Sequence, residues 1–287
     1  MGYIYIKKRD NERLGSQIQS IKNALYVGFH FNINIKIETN HPYTDKDKIP
    51  YIPNFLYIND SSSNEILFTH TFLNIISICR DIPEINKDNF EKNHEKVLHK
   101  LRENIKLPIP TKKGDGRDLY IHMRSGDMFH KPGWKWSNFY IPPPLRFYYN
   151  AIRARAWRNI YIICEDRKNL CLSALIDKYP HVKWRQQSLS EDIKLILSAR
   201  NIVYGGGTFI PSLLEFNKDV KLIYRVDYAL TPINTGIAYR IFNSRAYINA
   251  LMGEFSNNPH QRYQMINFGF DTTQRKAGFR QFKRLRM

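Results

Sequence analysis

Six residues, His122 to Asp127, bring an imidazole, a guanidinium and a carboxylate to the end of an apolar stretch. Leu119, Ile121 and Met123 alternate with Tyr120, His122 and Arg124, the period-two pattern of a strand, and Ser125-Gly126 allows a sharp exit. Arg124 therefore stands at a strand's carboxyl end. Ligands of open α/β sheets collect at that edge, and a planar fork of donors suits a phosphate or diphosphate. The same residues also read as an Arg–Asp ion pair that closes a strand end.

Two further turns carry polar groups of the right kind. Glu165-Asp166 ends the apolar run Ile160–Ile163, where a carboxylate can accept paired hydrogen bonds from a nucleobase or a sugar, or can cap the helix that follows. Gly205-Gly206-Gly207-Thr208-Phe209 follows Ile202-Val203-Tyr204 and leads into a helix. Its glycines let the backbone approach a ligand closely, and Thr208 with the amides at the helix start can meet phosphate oxygens. A tight turn with glycines present for packing alone is the other reading. The spacing is neither GxGxxG nor that of a P-loop with its Lys, so neither an NAD enzyme nor a P-loop NTPase is indicated.

The elements that must position these groups follow a regular rhythm. The pattern predicts a strand at 2–7, a helix at 14–29 with Ile18, Ile21 and Leu25 on one face, and a strand at 33–37, which together make a βαβ unit. Residues 40–64 read mostly as loop, 65–79 as apolar but of ambiguous type, and 88–104 as a helix. The stretch from Leu107 to Gly116, rich in Pro, Gly and polar residues, reads as a linker and divides the chain into 1–112 and 113–287. Beyond it strands at 118–124, 159–164, 182–186, 201–204 and 221–226 alternate with helices at 143–157, 169–178, 189–199 and 209–217. That alternation predicts a doubly wound parallel sheet. A further helix is expected over 237–252 and irregular chain over 253–273.

Composition narrows the classes. At 287 residues and 43% apolar the chain can bury the cores of two domains, and no run approaches the length of a membrane span. Met1 to Arg13 has no apolar signal core, so the expectation is a cytoplasmic protein. Cys79, Cys164 and Cys171 are too few for a disulfide framework, and no metal-ligand spacing occurs. The net charge of +18 promises attraction to something anionic, whether nucleic acid, membrane surface or phosphorylated substrate. A nucleic-acid-binding protein is the competing class, but no zinc-finger spacing, RNP-like motif or compact basic helix face supports it. The basic tail from Arg275 to Arg286 reads as a solubilising terminus or as an electrostatic arm for peripheral contact.

Taken in order, the turns resemble the superfamily of inverting GDP-fucose-dependent fucosyltransferases, the α1,2/α1,6 and protein O-fucosyltransferase group. That family's HxRRxD motif is matched by His122, Arg124 and Asp127, with Ser125 in place of the second Arg. Its acid pair is matched by Glu165-Asp166, and its hydrophobic strand with a Ser/Thr-Phe turn by Val203 to Phe209. Its GxLGNQ-like opening is matched by Arg13-Leu14-Gly15-Ser16-Gln17. The resemblance implies a GT-B-like fold, two Rossmann-type α/β domains with parallel sheets facing across a cleft, the first on the acceptor side and the second binding the nucleotide sugar. It implies that Arg124 contacts the donor diphosphate, His122 helps hold the nucleotide and Asp166 pairs with guanine, with Glu165 beside it. Gly207, Thr208 and Phe209 would seat the phosphates, and Gly15 would lie against the donor. An inactive sugar-nucleotide-binding relative is the variant of this reading that Ser125 raises.

The chemistry so implied moves fucose, or a related deoxysugar, from a GDP-sugar to a hydroxyl of a glycan or glycoconjugate. Charge builds on the departing diphosphate, and Arg124 with backbone amides would stabilise it without a cofactor or metal. The chain's DxD, Asp45-Lys46-Asp47, reads as a solvated surface pair. Asp127 and His130 are the candidates for the general base. Trp134, Trp136, Phe139 and Tyr140, in the segment after the first motif, either stack on sugar rings or pack that loop onto the domain.

Overall fold

The computed structural model of the chain describes residues 2–7, 12–38, 42–59, 66–70, 78–80, 82, 84–85, 87–130, 140–230, 237–270 and 283–286. The chain divides into two compact units, Met1–Pro108 and Ile109–Met287.

In the first unit, β1 (Tyr3–Ile6) leads through α1 (Leu14–Phe31) to β2 (Asn34–Ile37), and the two strands pair in parallel, with Ile4 beside Ile35. Helix α1 buries Ile18, Ile21 and Leu25 and ends at Asn32, whose left-handed backbone (φ 55°) caps it. Two more strands complete the sheet. β3 (Phe55–Leu56) adds antiparallel to β2 within the stretch expected to be loop, and β4 (Ile66–His70), the first part of the apolar run of ambiguous type, pairs in parallel with β1, while Ile78 to Arg80 at its end are helical. Helix α2 (Lys87–Asn104) lies against α1, where the Tyr26 hydroxyl and His94 Nδ1 are 2.7 Å apart.

The second unit is a seven-stranded sheet in the order β11-β10-β9-β8-β5-β6-β7, parallel except for β11. Its strands are β5 (Asp118–His122), β6 (Asn159–Ile163), β7 (Val182–Trp184), β8 (Asn201–Tyr204), β9 (Leu222–Val226), β10 (Ala238–Phe242) and β11 (Lys283–Arg286). Chain order reverses between β6 and β8, on either side of β5, so β5 lies at the switch point where such sheets bind ligands. Helices α3 (Asp127–His130), α4 (Leu145–Arg153), α5 (Leu170–Lys178), α6 (Leu189–Ser198), α7 (Phe209–Leu214), α8 (Arg245–Ala250) and α9 (Pro259–Asn267) complete the unit. The core is the two apolar sheet faces, with Leu119, Ile121, Ile160, Ile202, Val203 and Ile223 almost wholly buried. This is the α/β class expected. Among the described residues no helix is long and apolar enough to cross a membrane.

Two expectations fail beyond β9. The helix expected over 237–252 is instead strand β10 followed by the short α8, and the stretch expected to be irregular contains α9. β10 carries Tyr239 and Ile241 on one face and Ala238, Arg240 and Phe242 on the other, so the clean polar–apolar alternation of a one-sided strand is missing. α9 has little apolar periodicity, with only Gln261 and Met265 buried; its start is fixed by the Asn258 side chain, which accepts from the Gln261 amide, and by Pro259.

Candidate functional site

The turn after β5 is built by the ladder that precedes it. β5 pairs with β6 as far as His122 opposite Ile163, and the Met123 amide still donates to the Ile163 carbonyl at 2.9 Å, so the chain leaves the sheet at Arg124. Gly126 then takes φ +59°, and a Cβ there would fall 1.4 Å from Glu165 Oε1. That left-handed backbone disfavours a side chain, and the bare glycine lets the Glu165 side chain lie directly against the first turn.

Ser125 and Asn169 join those two turns. The buried Ser125 hydroxyl donates to Asp166 Oδ1 and accepts the Asn169 amide at 3.1 Å. Asn169 Nδ2 in turn donates to the Arg124 carbonyl at 2.9 Å, while its Oδ1 caps α5 by accepting the Cys171 amide at 3.0 Å. The position that differs from the HxRRxD pattern therefore faces inward, as a bridge between loops. Burial works to raise the Asp166 pKa, but hydrogen bonds from Ser125, Lys168 and the Gly126 amide outweigh it and hold this carboxyl below its ordinary value. Asp166 is thus an anion tied to the protein. Glu165 beside it is exposed. At the adjoining end of β7 the Arg167 guanidinium stacks 4.8 Å from the Trp184 ring centroid, and Trp184 donates to the Cys164 carbonyl at 3.3 Å, leaving a planar surface next to the acid pair.

Arg124 meets the third turn. Gly207 has φ +100°, and a Cβ there would sit 3.1 Å from Arg124 Nη1, so the guanidinium lies directly against the glycine turn. Its side chain is about one-fifth exposed (21%), pairs with Asp127 through Nη2 to Oδ2 at 3.3 Å, and lies with Cζ 4.6 Å from the Tyr140 ring centroid. Thr208 precedes α7 and accepts the Ser212 amide on its carbonyl at 3.0 Å, and the Phe209 ring lies 5.6 Å from that of His122. Burial, and then the neighbouring Arg124 charge, push the His122 pKa down to about 3. Its imidazole is neutral at ordinary pH and can offer a hydrogen bond but no charge.

The segment behind Tyr140 is anchored on consecutive carbonyls. Ile141 accepts from the Tyr228 hydroxyl at 2.6 Å and Pro142 from the Tyr247 hydroxyl at 2.9 Å, while the Cys171 thiol lies 3.9 Å from the Pro143 oxygen. The Pro143 ring occupies the space a Cβ on Gly205 would need. Proline strut and glycine turn therefore fix one another, and both touch the surroundings of Arg124.

His122, Arg124, Asp127, Glu165, Asp166, Gly207 and Phe209 are accordingly gathered at one sheet edge, with Thr208 next in chain. Gly15 lies in the other unit, buried in the first turn of α1. Asp45 accepts the Asp47 amide at 3.0 Å and pairs with Lys48 at 3.5 Å, so the DxD closes on itself at the surface. Trp134, Trp136, Phe139 and the side chain of His130 lie outside the described residues, as does most of the basic tail. Cys164 and Cys171 are buried thiols whose pKa burial raises, the former to about 12.

A fourth turn was missed in the sequence. Buried Arg225, near the end of β9, donates through Nη1 to the carbonyls of Val226 at 3.0 Å, Asp227 at 3.3 Å and Ala229 at 2.9 Å, and the Tyr204 hydroxyl donates to that of Leu230 at 2.7 Å. The turn so fixed presents Asp227, exposed, with its carboxylate accepting both the amide (3.2 Å) and the hydroxyl of buried Ser244. The available signal was an Arg at the end of an apolar strand, LIYRVD, parallel to the one that drew attention to Arg124.

No family model and no curated protein matches the chain. Among solved structures it is similar to a NodZ α-1,6-fucosyltransferase crystal soaked with GDP-fucose, at 10% identity and a TM-score of 0.40, over 85% of this chain and 96% of that one. A superposition that loose leaves the functional reading to the chain's own geometry.

Proposed function

We propose that this protein is a glycosyltransferase that moves fucose, or a related deoxysugar, from a GDP-sugar to a hydroxyl of a glycan or glycoconjugate, with inversion and without a metal. The observation that carries the reading is the guanidinium of Arg124 held against Gly207 at the switch point of a parallel sheet. A diphosphate seated there meets a permanent cation and the backbone of a turn that has no side chains to keep it away. Charge arriving on the diphosphate as the anomeric C–O bond breaks is stabilised by hydrogen bonds that strengthen in the transition state. In this reading Arg124 is the catalytic cation, and Asp127 and the Tyr140 ring keep its fork in place.

The remaining groups divide the donor among them. Neutral His122 and Phe209 flank the nucleotide, and Thr208 and Gly207 take phosphate oxygens. The base lies by the acid pair, where Glu165 and Asp166 accept the two N–H groups of guanine's edge and the Arg167–Trp184 stack offers a flat face.

A thermal-shift panel tests the reading. GDP and GDP-fucose should raise the melting temperature, UDP and CMP derivatives should not, and Arg124→Ala should abolish the shift. Stabilisation by UDP-sugars instead, or a GDP shift unchanged in Arg124→Ala, refutes it.

A further inference from the structure

The carboxyl ends of β9 and β10 enclose an open dish of about 390 Å³ lined by Asp227, Tyr228, Ser244, Arg245 and Asn249. It lies on the same sheet edge as Arg124. β5, β8 and β9 are consecutive in the sheet, so at the usual interstrand spacing the end of β9 is on the order of 10 Å from that of β5, about the span of a sugar ring and its bonds. Tyr228 ties the dish to the strut beneath Arg124 through its hydrogen bond to Ile141.

The dish is held in shape. Arg225 fixes the carbonyls of the turn from below, and Ser244 holds the Asp227 carboxylate by amide and hydroxyl while leaving the residue exposed. Among the described residues Asp227 makes no ion pair, whereas the Asp127 carboxylate lies 3.3 Å from the Arg124 guanidinium. Moving a proton onto Asp127 would neutralise the partner of the very cation the diphosphate needs. Asp227 carries no such penalty.

We infer that the dish is the acceptor subsite, in the second unit rather than in the first as the resemblance implies, with Asp227 as the general base for a saccharide hydroxyl oriented by Arg245 and Asn249. The inference rests on the transferase reading given above. In the step, the acceptor oxygen bonds to the anomeric carbon on the face opposite the diphosphate, and the anomeric C–O bond breaks. Its electron pair leaves on GDP, and the hydroxyl proton passes to Asp227.

Water and azide separate this role from the others, because azide is an anionic nucleophile with no proton to lose. The wild-type chain given GDP-fucose should release fucose slowly with water and form fucosyl azide when azide is added. Asp227→Asn should lose hydrolysis by about 100-fold or more while keeping azide transfer and the GDP-induced thermal shift. Ser244→Ala, which leaves the carboxylate but loosens it, should lose hydrolysis by a smaller factor with azide transfer again retained, and it serves as the readout if Asp227→Asn does not fold. Wild-type hydrolysis in Asp227→Asn, or equal loss of water and azide transfer, overturns the assignment alone. A wild-type protein that is not stabilised by GDP and turns over neither acceptor overturns the transferase reading and this inference with it.

Discussion

Two arginines end parallel strands of one sheet, and they do opposite things. Arg225 is 8% exposed and directs one nitrogen at three backbone carbonyls, with its guanidinium 6.0 Å from the Tyr239 ring centroid. Arg124 rests on the Tyr140 ring and pairs with Asp127, and its side chain keeps about one-fifth of its surface. The local sequences look alike; what differs is the chain beyond. After β9 the backbone curls back and offers its oxygens to the cation, whereas after β5 a left-handed glycine carries the chain away and another glycine turn closes in without side chains. One cation is a structural clamp and the other is poised for a ligand.

The contrast breaks most visibly at Arg225. Its replacement by Ala leaves buried carbonyls without a donor, which should cost about 3 kcal/mol and lower the melting temperature by roughly 10 °C. Arg124→Ala should leave melting nearly unchanged in the absence of ligand but cut transfer by about 100-fold, and Arg124→Lys should also be impaired because the fork is lost; the paired measurement is thermal melting beside GDP-fucose turnover. If the two arginines exchange these signatures, the division of roles is wrong. Gly207→Ala places a methyl against the guanidinium at a φ that disfavours any side chain, and should weaken GDP binding about tenfold in a titration.

The smallest effects concern pH. His122 is held at about 3, so below its ordinary 6.5 the unfolded chain binds a proton that the folded one refuses, and stability falls as the pH drops through that window. Asp192 acts in the opposite sense. Burial, with the Glu191 and Glu165 charges, raises it to about 6 against the Gln187 hydrogen bond, so stability is lost as pH rises from its ordinary 3.8 toward 6. The two partly offset each other between roughly pH 4 and 6. His122→Gln should therefore flatten the loss of melting temperature from pH 7 to 4 and Asp192→Asn should steepen it; identical slopes in all three proteins refute the assignment.

The regular rhythm from residue 118 to 226 was readable because β5, β6, β8 and β9 are apolar enough to mark themselves, and a glycine or acid turn follows each of them closely. β10 and α9 were not. β10 hides its period because both of its faces meet protein, and α9 announces itself through Asn258-Pro259 rather than through an apolar stripe. Which residues gather at the site could be inferred from strand order in a parallel sheet, since turns after parallel strands share an edge. The inward bridge of Ser125 could not, because a substitution within a motif says nothing about which way the new side chain points. Asp227 escaped notice for a similar reason: its significance comes from Ser244, 17 residues away beyond β10, and from the carbonyl grip of Arg225.

The joining of two loops through Ser125 and Asn169 has a thermodynamic consequence. A molecule that settles on both loops finds them already in register, so little conformational entropy is lost on arrival. Association there should resemble key and lock more than folding upon contact, with a calorimetric signature of modest heat-capacity change set by the ligand's own buried area.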